Sequence, residues 1–336
     1  MESIEAQKQS SRFQQLEQWI AQDCGLKASS IQALAGDASF RRYYRIKAAA
    51  ESVIAMDAPH KEDNCESFVS IAKALRQMGL HTPEILAADL SKGFLLLSDF
   101  GDTTYLKKLN LENADNLYGN AIDALAILRT CQIADRNIPF FKEDWMWREW
   151  NWHKEWFLTK LLGLQISDNE KKLDECFAHI VKSAISQPQV FMHRDYHSAN
   201  LMVLNDNQVG ILDFQDAFIG PITYDLVSLL RDCYIDWPEE RITQWVKNYW
   251  QASSDISSQI TLNAFMRLFD LMGIERHLKA LFTFARKQVR DQQAQYLKHI
   301  PRTFNYVVQV SERYPELQTL HHYFDTIVRE KIICVA

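Results

Sequence analysis

The densest chemistry in the chain is His193-Arg194-Asp195-Tyr196-His197-Ser198-Ala199-Asn200, with Asp213 thirteen residues beyond Asn200. As a pattern this is H-R-D-x-x-x-x-N followed by D-F-Q. These residue types suit transfer of a phosphoryl group to a hydroxyl, which asks a protein for positioning and charge neutralisation more than for covalent help. One carboxylate has to accept the proton of the attacking hydroxyl, and Asp195 is placed for that. Two oxygen donors have to hold magnesium against the phosphates. Asn200 and Asp213 suit, since magnesium prefers hard oxygen ligands and keeps several of its waters. His193 reads as a brace that hydrogen-bonds the loop. His197 is open between an exposed loop residue and a substrate contact, and Arg194 and Asp216 flank the catalytic positions as further candidates to touch the acceptor.

The surrounding pattern has to deliver these groups. Residues 189–192 form a short apolar run leading into the loop, 201–204 read as a buried strand, 205–207 are turn residues, and 208–212 read as a strand returning to Asp213. A hairpin of that size carries Asn200 and Asp213 to the same end of neighbouring strands. Upstream, Phe13, Leu16, Trp19 and Ile20 recur at helical spacing within 3–24, with Gly25 at the end. Strands are expected over 31–34, 40–46 and 52–56. Residues 64–78 carry Phe68, Ile71, Ala72 and Leu75 on one helical face, ended near Gly79. Further strands are expected at 83–86 and 94–97, and from Leu109 onward the chain reads mostly helical. Gly36-Asp37-Ala38-Ser39-Phe40 is the candidate loop over nucleotide phosphates: Gly36 permits a tight turn, and backbone N–H groups with the Ser39 hydroxyl meet phosphate oxygens.

Composition narrows the class. With 336 residues, 47% hydrophobic and 24% charged, the chain can build two lobes with separate cores. A net charge of −6 without a long basic run speaks against nucleic-acid binding. The six cysteines are scattered with no C-x-x-C pair, which fits a reduced cytoplasmic protein. The first eighteen residues lack the apolar core of a signal peptide, and no uncharged run is long enough to cross a bilayer.

These motifs resemble the aminoglycoside phosphotransferase-like branch of kinase-fold enzymes rather than protein kinases. D-F-Q lacks the final glycine, and only a short link joins it to Gly220-Pro221-Ile222-Thr223-Tyr224-Asp225-Leu226, leaving no room for an activation loop. Within the branch the chain is similar to bacterial anomeric sugar kinases that phosphorylate N-acetylmuramate and N-acetylglucosamine in cell-wall recycling. The matching stretches are 36–45, Met56-Asp57-Ala58-Pro59, Leu97-Ser98-Asp99-Phe100-Gly101-Asp102, Arg276-His277-Leu278-Lys279 and Phe284-Ala285-Arg286. The resemblance implies an α+β, bilobal protein-kinase-like fold: a small antiparallel-sheet N-lobe (residues 1–99) that binds nucleotide, and a larger, mostly helical C-lobe (residues 100–336) with the catalytic loop, metal site and substrate site. It implies ATP and Mg2+ as cofactors, a small sugar as acceptor, and a sugar 1-phosphate product for a downstream nucleotidyltransferase. Asp225 is expected to brace the catalytic loop.

For the nucleotide, the resemblance points to Gly36, Asp37, Ser39 and Phe40, to Met56, and to Ser98, Asp99 and Phe100, where the chain passes over the adenine. Met56 stands where V-A-I-K would place a phosphate-binding lysine. That charge is left to Arg42, Arg45 or Lys47, or is absent, and Glu66, the lysine's usual partner, is left without a settled role. Glu149, a further candidate substrate contact, shares one crowded segment with Trp145, Trp147, Trp150, Trp152 and Trp156. Most read as core, with one or two in the cleft. Arg276 and Arg286 are candidates for pairing a substrate carboxylate. Other acceptors stay open: an aminoglycoside, choline, homoserine or another sugar. So does a nucleotide-binding scaffold without turnover, suggested by Met56 alone.

Overall fold

The computed structural model describes residues 2–34, 41–48, 51–59, 65–133, 138–166 and 169–333. The candidate phosphate-loop residues Gly36, Asp37, Ser39 and Phe40 lie outside the described residues.

Two units emerge from the contacts within the chain: Met1–Thr103 with Gly210–Gln215, and Thr104–Val209 with Asp216–Ala336. In the first, α1 (Glu2–Gln22) is followed by five strands, β1 (Ser30–Ala33), β2 (Arg42–Ala48), β3 (Glu51–Asp57), β4 (Ile85–Asp89) and β5 (Phe94–Ser98). The strands form an antiparallel sheet in the order β1-β2-β3-β5-β4. The apolar stripe of α1 decides which sheet face it covers. Leu16, Trp19 and Ile20 pack with Ile46, Val53, Ala55, Phe94 and Leu96. Because side chains alternate along a strand, the register Tyr43↔Met56↔Leu95 and Arg45↔Ile54↔Leu97 puts these residues on the opposite face. α2 (Cys65–Gln77) buries Phe68, Ile71, Ala72 and Leu75, the face its sequence pattern named. The ring of Phe214, beside Asp213, packs 4.8 Å from that of Phe68. β4 begins two residues later than expected, at Ile85, because Pro83 has no N–H to give a ladder.

The second unit is mostly helical. It runs through α3 (Tyr105–Lys108), α4 (Ala114–Leu128), α5 (Glu143–Trp152), a π-helical continuation His153–Leu161, and α6 (Glu170–Ile185). Then come β6 (Gln189–Met192), β7 (Leu201–Val203), the start of β8 (Val209–Ile211) and β9 (Phe218–Pro221), and the helices α7 (Tyr224–Leu230), α8 (Glu239–Ala252), α9 (Ser254–Ser257), α10 (Leu262–Asp291) and α11 (Ile300–Glu312). α10 is the axis. Its middle is buried all round, polar Glu275, Arg276 and His277 included, because α6, α7, α11 and the π-helical segment surround it.

β9 is a strand that the sequence pattern concealed. It pairs antiparallel with β6, Met192 opposite Phe218 and Val190 opposite Gly220. A Cβ on Gly220 would lie 2.7 Å from Met192 Sδ, so a larger residue there would have to displace the flexible end of that buried side chain. Among the described residues no helix is long and apolar enough to cross a membrane.

Candidate active site

The catalytic loop is held from below by two buried carboxylates. Asp225, in the first turn of α7, accepts the His193 N–H at 2.6 Å and the Arg194 N–H at 2.9 Å. Burial works to raise its carboxyl, and His193 and these two donors offset part of that. Asp232, just past α7, accepts the Ser198 N–H at 2.9 Å and also the Ser198 hydroxyl, while its other oxygen takes the Tyr234 N–H at 2.9 Å. Arg194 sits at φ +78°, a conformation that non-glycine residues enter only where surrounding bonds compel it. The Asp225 bonds do the compelling. His193 is buried and accepts the Asp195 N–H at Nδ1 (3.3 Å), the bracing role expected of it.

Asp195 is the one loop carboxylate that reaches a pocket, and its side chain keeps 37% exposure. Its partners come from α10. Lys279 Nζ donates to Oδ1 at 3.1 Å, and Arg276 Nη2 lies 4.0 Å from the same oxygen. Burial pushes the Asp195 carboxyl up, but Lys279, with His197, Arg276 and Arg194, outweighs it and holds the group far below the usual carboxylate range. Asn200 Nδ2 donates to the Asp195 carbonyl at 3.0 Å, which fixes the direction of the amide and ties it to the loop.

The other candidates scatter. His197 lines the Asp195 pocket, with its imidazole lowered by burial. Arg276 lines it too, but its guanidinium is spent inside, on the Ser228 hydroxyl and on Cys233 Sγ at 3.9 Å. Arg194 points elsewhere, over the Phe218 ring at 4.5 Å, with Nη2 4.0 Å from Glu149. Glu149 is 4% exposed, takes the Trp145 indole N–H at 3.1 Å, and is in the interior rather than at the pocket. Asp216 is exposed, and its carbonyl accepts from Arg194 at 3.5 Å. Arg286, two turns beyond Lys279 on α10, lies over Phe282 at 5.8 Å and outside the pocket.

No tryptophan lines that pocket either. Trp150 is core, stacked between His153 and Phe177, and the half-buried Trp145, Trp147, Trp152 and Trp156 pack on Phe218, Phe177, Phe282 and Lys160. Conversely, spacing alone did not single out Lys279, Asp232, Tyr234 or Phe284 as site residues. The traces were the i, i+3 interval that puts Arg276 and Lys279 on one face of a helix and the place of Lys279 and Phe284 in the stretches that carry the family resemblance.

In the first unit, Asp213 sits at φ +62° and accepts from Gln215 Nε2 at 2.7 Å, so the residue in place of the kinase glycine orients the candidate metal ligand. Met56 is fully buried. The cations proposed for the missing lysine are placed differently. Arg42 pairs across from Asp57, on the α1 side of the sheet, away from Met56. Arg45 shares the Met56 face but is clamped to both oxygens of Asp99 (2.6 and 3.0 Å) and to Asp102 (2.7 Å). Lys47 is exposed near the far end of the strand. Burial works to raise Asp99, and Arg45 with the Ser52 hydroxyl outweighs it, leaving the carboxyl below its ordinary value. The Asp99 carboxylate therefore serves the protein. The Ser98 hydroxyl accepts the Glu84 N–H at 2.8 Å, and Phe100 is half-buried. Glu66, in the first turn of α2, is exposed.

Fold and loop together define the class of protein: a kinase-fold phosphotransferase, with a sheet unit and a helical unit that carries the H-R-D-x-x-x-x-N loop. Residues 30–268 match the phosphotransferase enzyme family, and the chain belongs to that family. A protein of Pseudomonas putida named N-acetylmuramate/N-acetylglucosamine kinase is 40% identical over 92% of this chain and 94% of its own length. A protein of the same name from Pseudomonas aeruginosa is 39% identical over 92% of this chain and 95% of its own. Among solved structures, the aminoglycoside phosphotransferase APH(2'')-Ib with ADP bound shares the fold at a TM-score of 0.59, with 14% identity over 88% of this chain and 98% of that one.

Proposed function

We propose that the chain transfers the γ-phosphoryl group of magnesium-ATP to the anomeric hydroxyl of N-acetylmuramate and N-acetylglucosamine, producing sugar 1-phosphates in peptidoglycan recycling. The observation that carries this reading is identity of 40% sustained over 92% of the chain with a relative named N-acetylmuramate/N-acetylglucosamine kinase. The site is compatible in its chemistry. Asp195, ionised by its cationic neighbours and open to a pocket, orients the hydroxyl and takes its proton as the new O–P bond forms and the bond from the γ-phosphorus to ADP breaks. An anomeric hydroxyl is more acidic than an ordinary alcohol, which suits so weak a base.

Asn200 and Asp213 are assigned to magnesium, whose charge neutralises the phosphates when bound. The nucleotide is assigned to Gly36, Asp37, Ser39 and Phe40 and to the segment Ser98-Asp99-Phe100, with Met56 against it. With ATP as donor and no disulfide among the five described cysteines, a cytoplasmic enzyme is the matching setting, and a nucleotidyltransferase is the expected consumer of the product.

The test is ADP release with magnesium-ATP against N-acetylmuramate, N-acetylglucosamine, choline and kanamycin, with Asp195→Asn as control. Turnover of the amino sugars to an acid-labile phosphate, lost in the variant, is expected. Turnover of choline or kanamycin alone would overturn the sugar assignment.

A further inference from the structure

The pocket at Asp195 has a volume of about 70 Å³ and lies wholly within the helical unit. One wall is a stripe of α10, where Lys279, Thr283 and Phe284 follow Arg276 at helical spacing. The facing wall is the segment after α7, where Tyr234 stands beside Asp232.

Every formal charge in this pocket already has a protein partner. Lys279 is committed to Asp195, Arg276 to Ser228 and Cys233, and Asp232 to Ser198 and the Tyr234 N–H. Two carboxylates face two cations, so no positive surplus is left for an anionic ligand. The wall that remains is aromatic. The Tyr234 and Phe284 rings meet at 6.4 Å and 61° and form a corner. Tyr234 makes T-shaped contacts with His197, which lines the same pocket, at 5.3 Å and with His299 at 4.8 Å, and Phe284 stacks on the ring of Tyr296 at 6.0 Å. The half-buried Tyr234 ring, held by these neighbours and supported by the buried Phe284, offers a flat surface at little entropic cost, which is how proteins hold the C–H face of a pyranose.

We infer that Tyr234, supported by Phe284, forms the acceptor-ring subsite at the mouth of this pocket, and that it reads the neutral pyranose ring without pairing an acidic substituent. The substituent leads out of the pocket mouth. This rests on the amino-sugar reading above and gives its physical basis: the two proposed acceptors differ by a carboxylate that the pocket does not bind.

The experiment measures kcat and KM for ATP, N-acetylmuramate and N-acetylglucosamine at low and high salt, in wild type, Tyr234→Ala and Tyr234→Phe, with thermal melting to establish folding. Tyr234→Ala is expected to raise the acceptor KM about tenfold for both sugars while the ATP KM stays put, and Tyr234→Phe, which restores the flat face, to recover most of that loss. The ratio of the two acceptor KM values is expected not to move with salt, since no ion pair is there to be screened. An unchanged acceptor KM in folded Tyr234→Ala overturns the subsite. A KM that climbs with salt for the acidic sugar alone overturns the charge argument. Should Tyr234→Ala not fold, Tyr234→Leu keeps the bulk without the flat face and reads the same KM. Turnover of neither sugar by wild type overturns the amino-sugar reading and this inference with it; turnover with an unmoved KM overturns this inference alone.

Discussion

Asp225→Asn tests the idea that a buried carboxylate sets the catalytic geometry from below. Asp225 is 4% exposed, and each of its oxygens takes one backbone N–H, from His193 at 2.6 Å and Arg194 at 2.9 Å. An amide has only one accepting oxygen. One N–H must lose its partner and face an NH2 group, and a buried orphan of that kind costs about 1–3 kcal/mol, more when the lost acceptor was charged. The bonds also hold Arg194 at φ +78°, itself a strain of about 1–3 kcal/mol. Released, Arg194 relaxes towards negative φ and swings Asp195, the next residue, away from the acceptor. A loss of about 2–4 kcal/mol in positioning corresponds to a fall in kcat of roughly 30- to 1,000-fold, at 1.4 kcal/mol per factor of ten. The assay is ADP release at saturating acceptor, with thermal melting on the same sample. Folded variant within about threefold of wild-type kcat would refute the reasoning.

Two other substitutions follow from the same structure. Lys279→Met removes the ammonium 3.1 Å from Asp195, and a charged hydrogen bond of about 1.5–3 kcal/mol predicts kcat lower by roughly 10- to 100-fold on both sugars alike; a selective rise in KM for the acidic sugar would show that Lys279 binds substrate instead. For Glu275, burial and then the neighbouring Glu149 carboxylate push the carboxyl well above its ordinary value, so the folded protein keeps a proton that the unfolded chain releases near pH 4 (about 4.3). The stability this proton carries is lost as pH rises towards the raised value. Glu275→Gln has no proton to lose, and its melting-temperature gain over wild type should be larger at about pH 8 than at about pH 5; an equal difference at both would sink the assignment.

Much of the fold is legible in the chain because its signals are local. Leu16, Trp19 and Ile20 announce α1 and the buried face of α2 is written in Phe68, Ile71, Ala72 and Leu75, since a helix repeats every 3.6 residues whatever it packs against. β9 escaped because its four residues carry no alternation, and its pairing partner β6 lies some thirty residues earlier.

The site divides the same way. Asp195, Asn200 and Asp213 could be picked out by type and interval, because phosphoryl transfer demands a base and hard oxygen ligands in one short stretch of chain. Their surroundings could not. The Lys279–Asp195 pair spans 84 residues and the Asp225–His193 bond 32. Helical spacing names the face that Arg276 and Lys279 share without saying what stands opposite. Arg45 read as a possible phosphate ligand until the fold brought Asp99 and Asp102 to it, and Glu149 read as a substrate contact until α5 turned it inward. The sequence by itself therefore determined the reaction class, through residues that must be near one another in the chain. Only the tertiary structure decided which charges are already spent and which side chains line the Asp195 pocket, because desolvation and ion pairing depend on neighbours that chain order does not reveal.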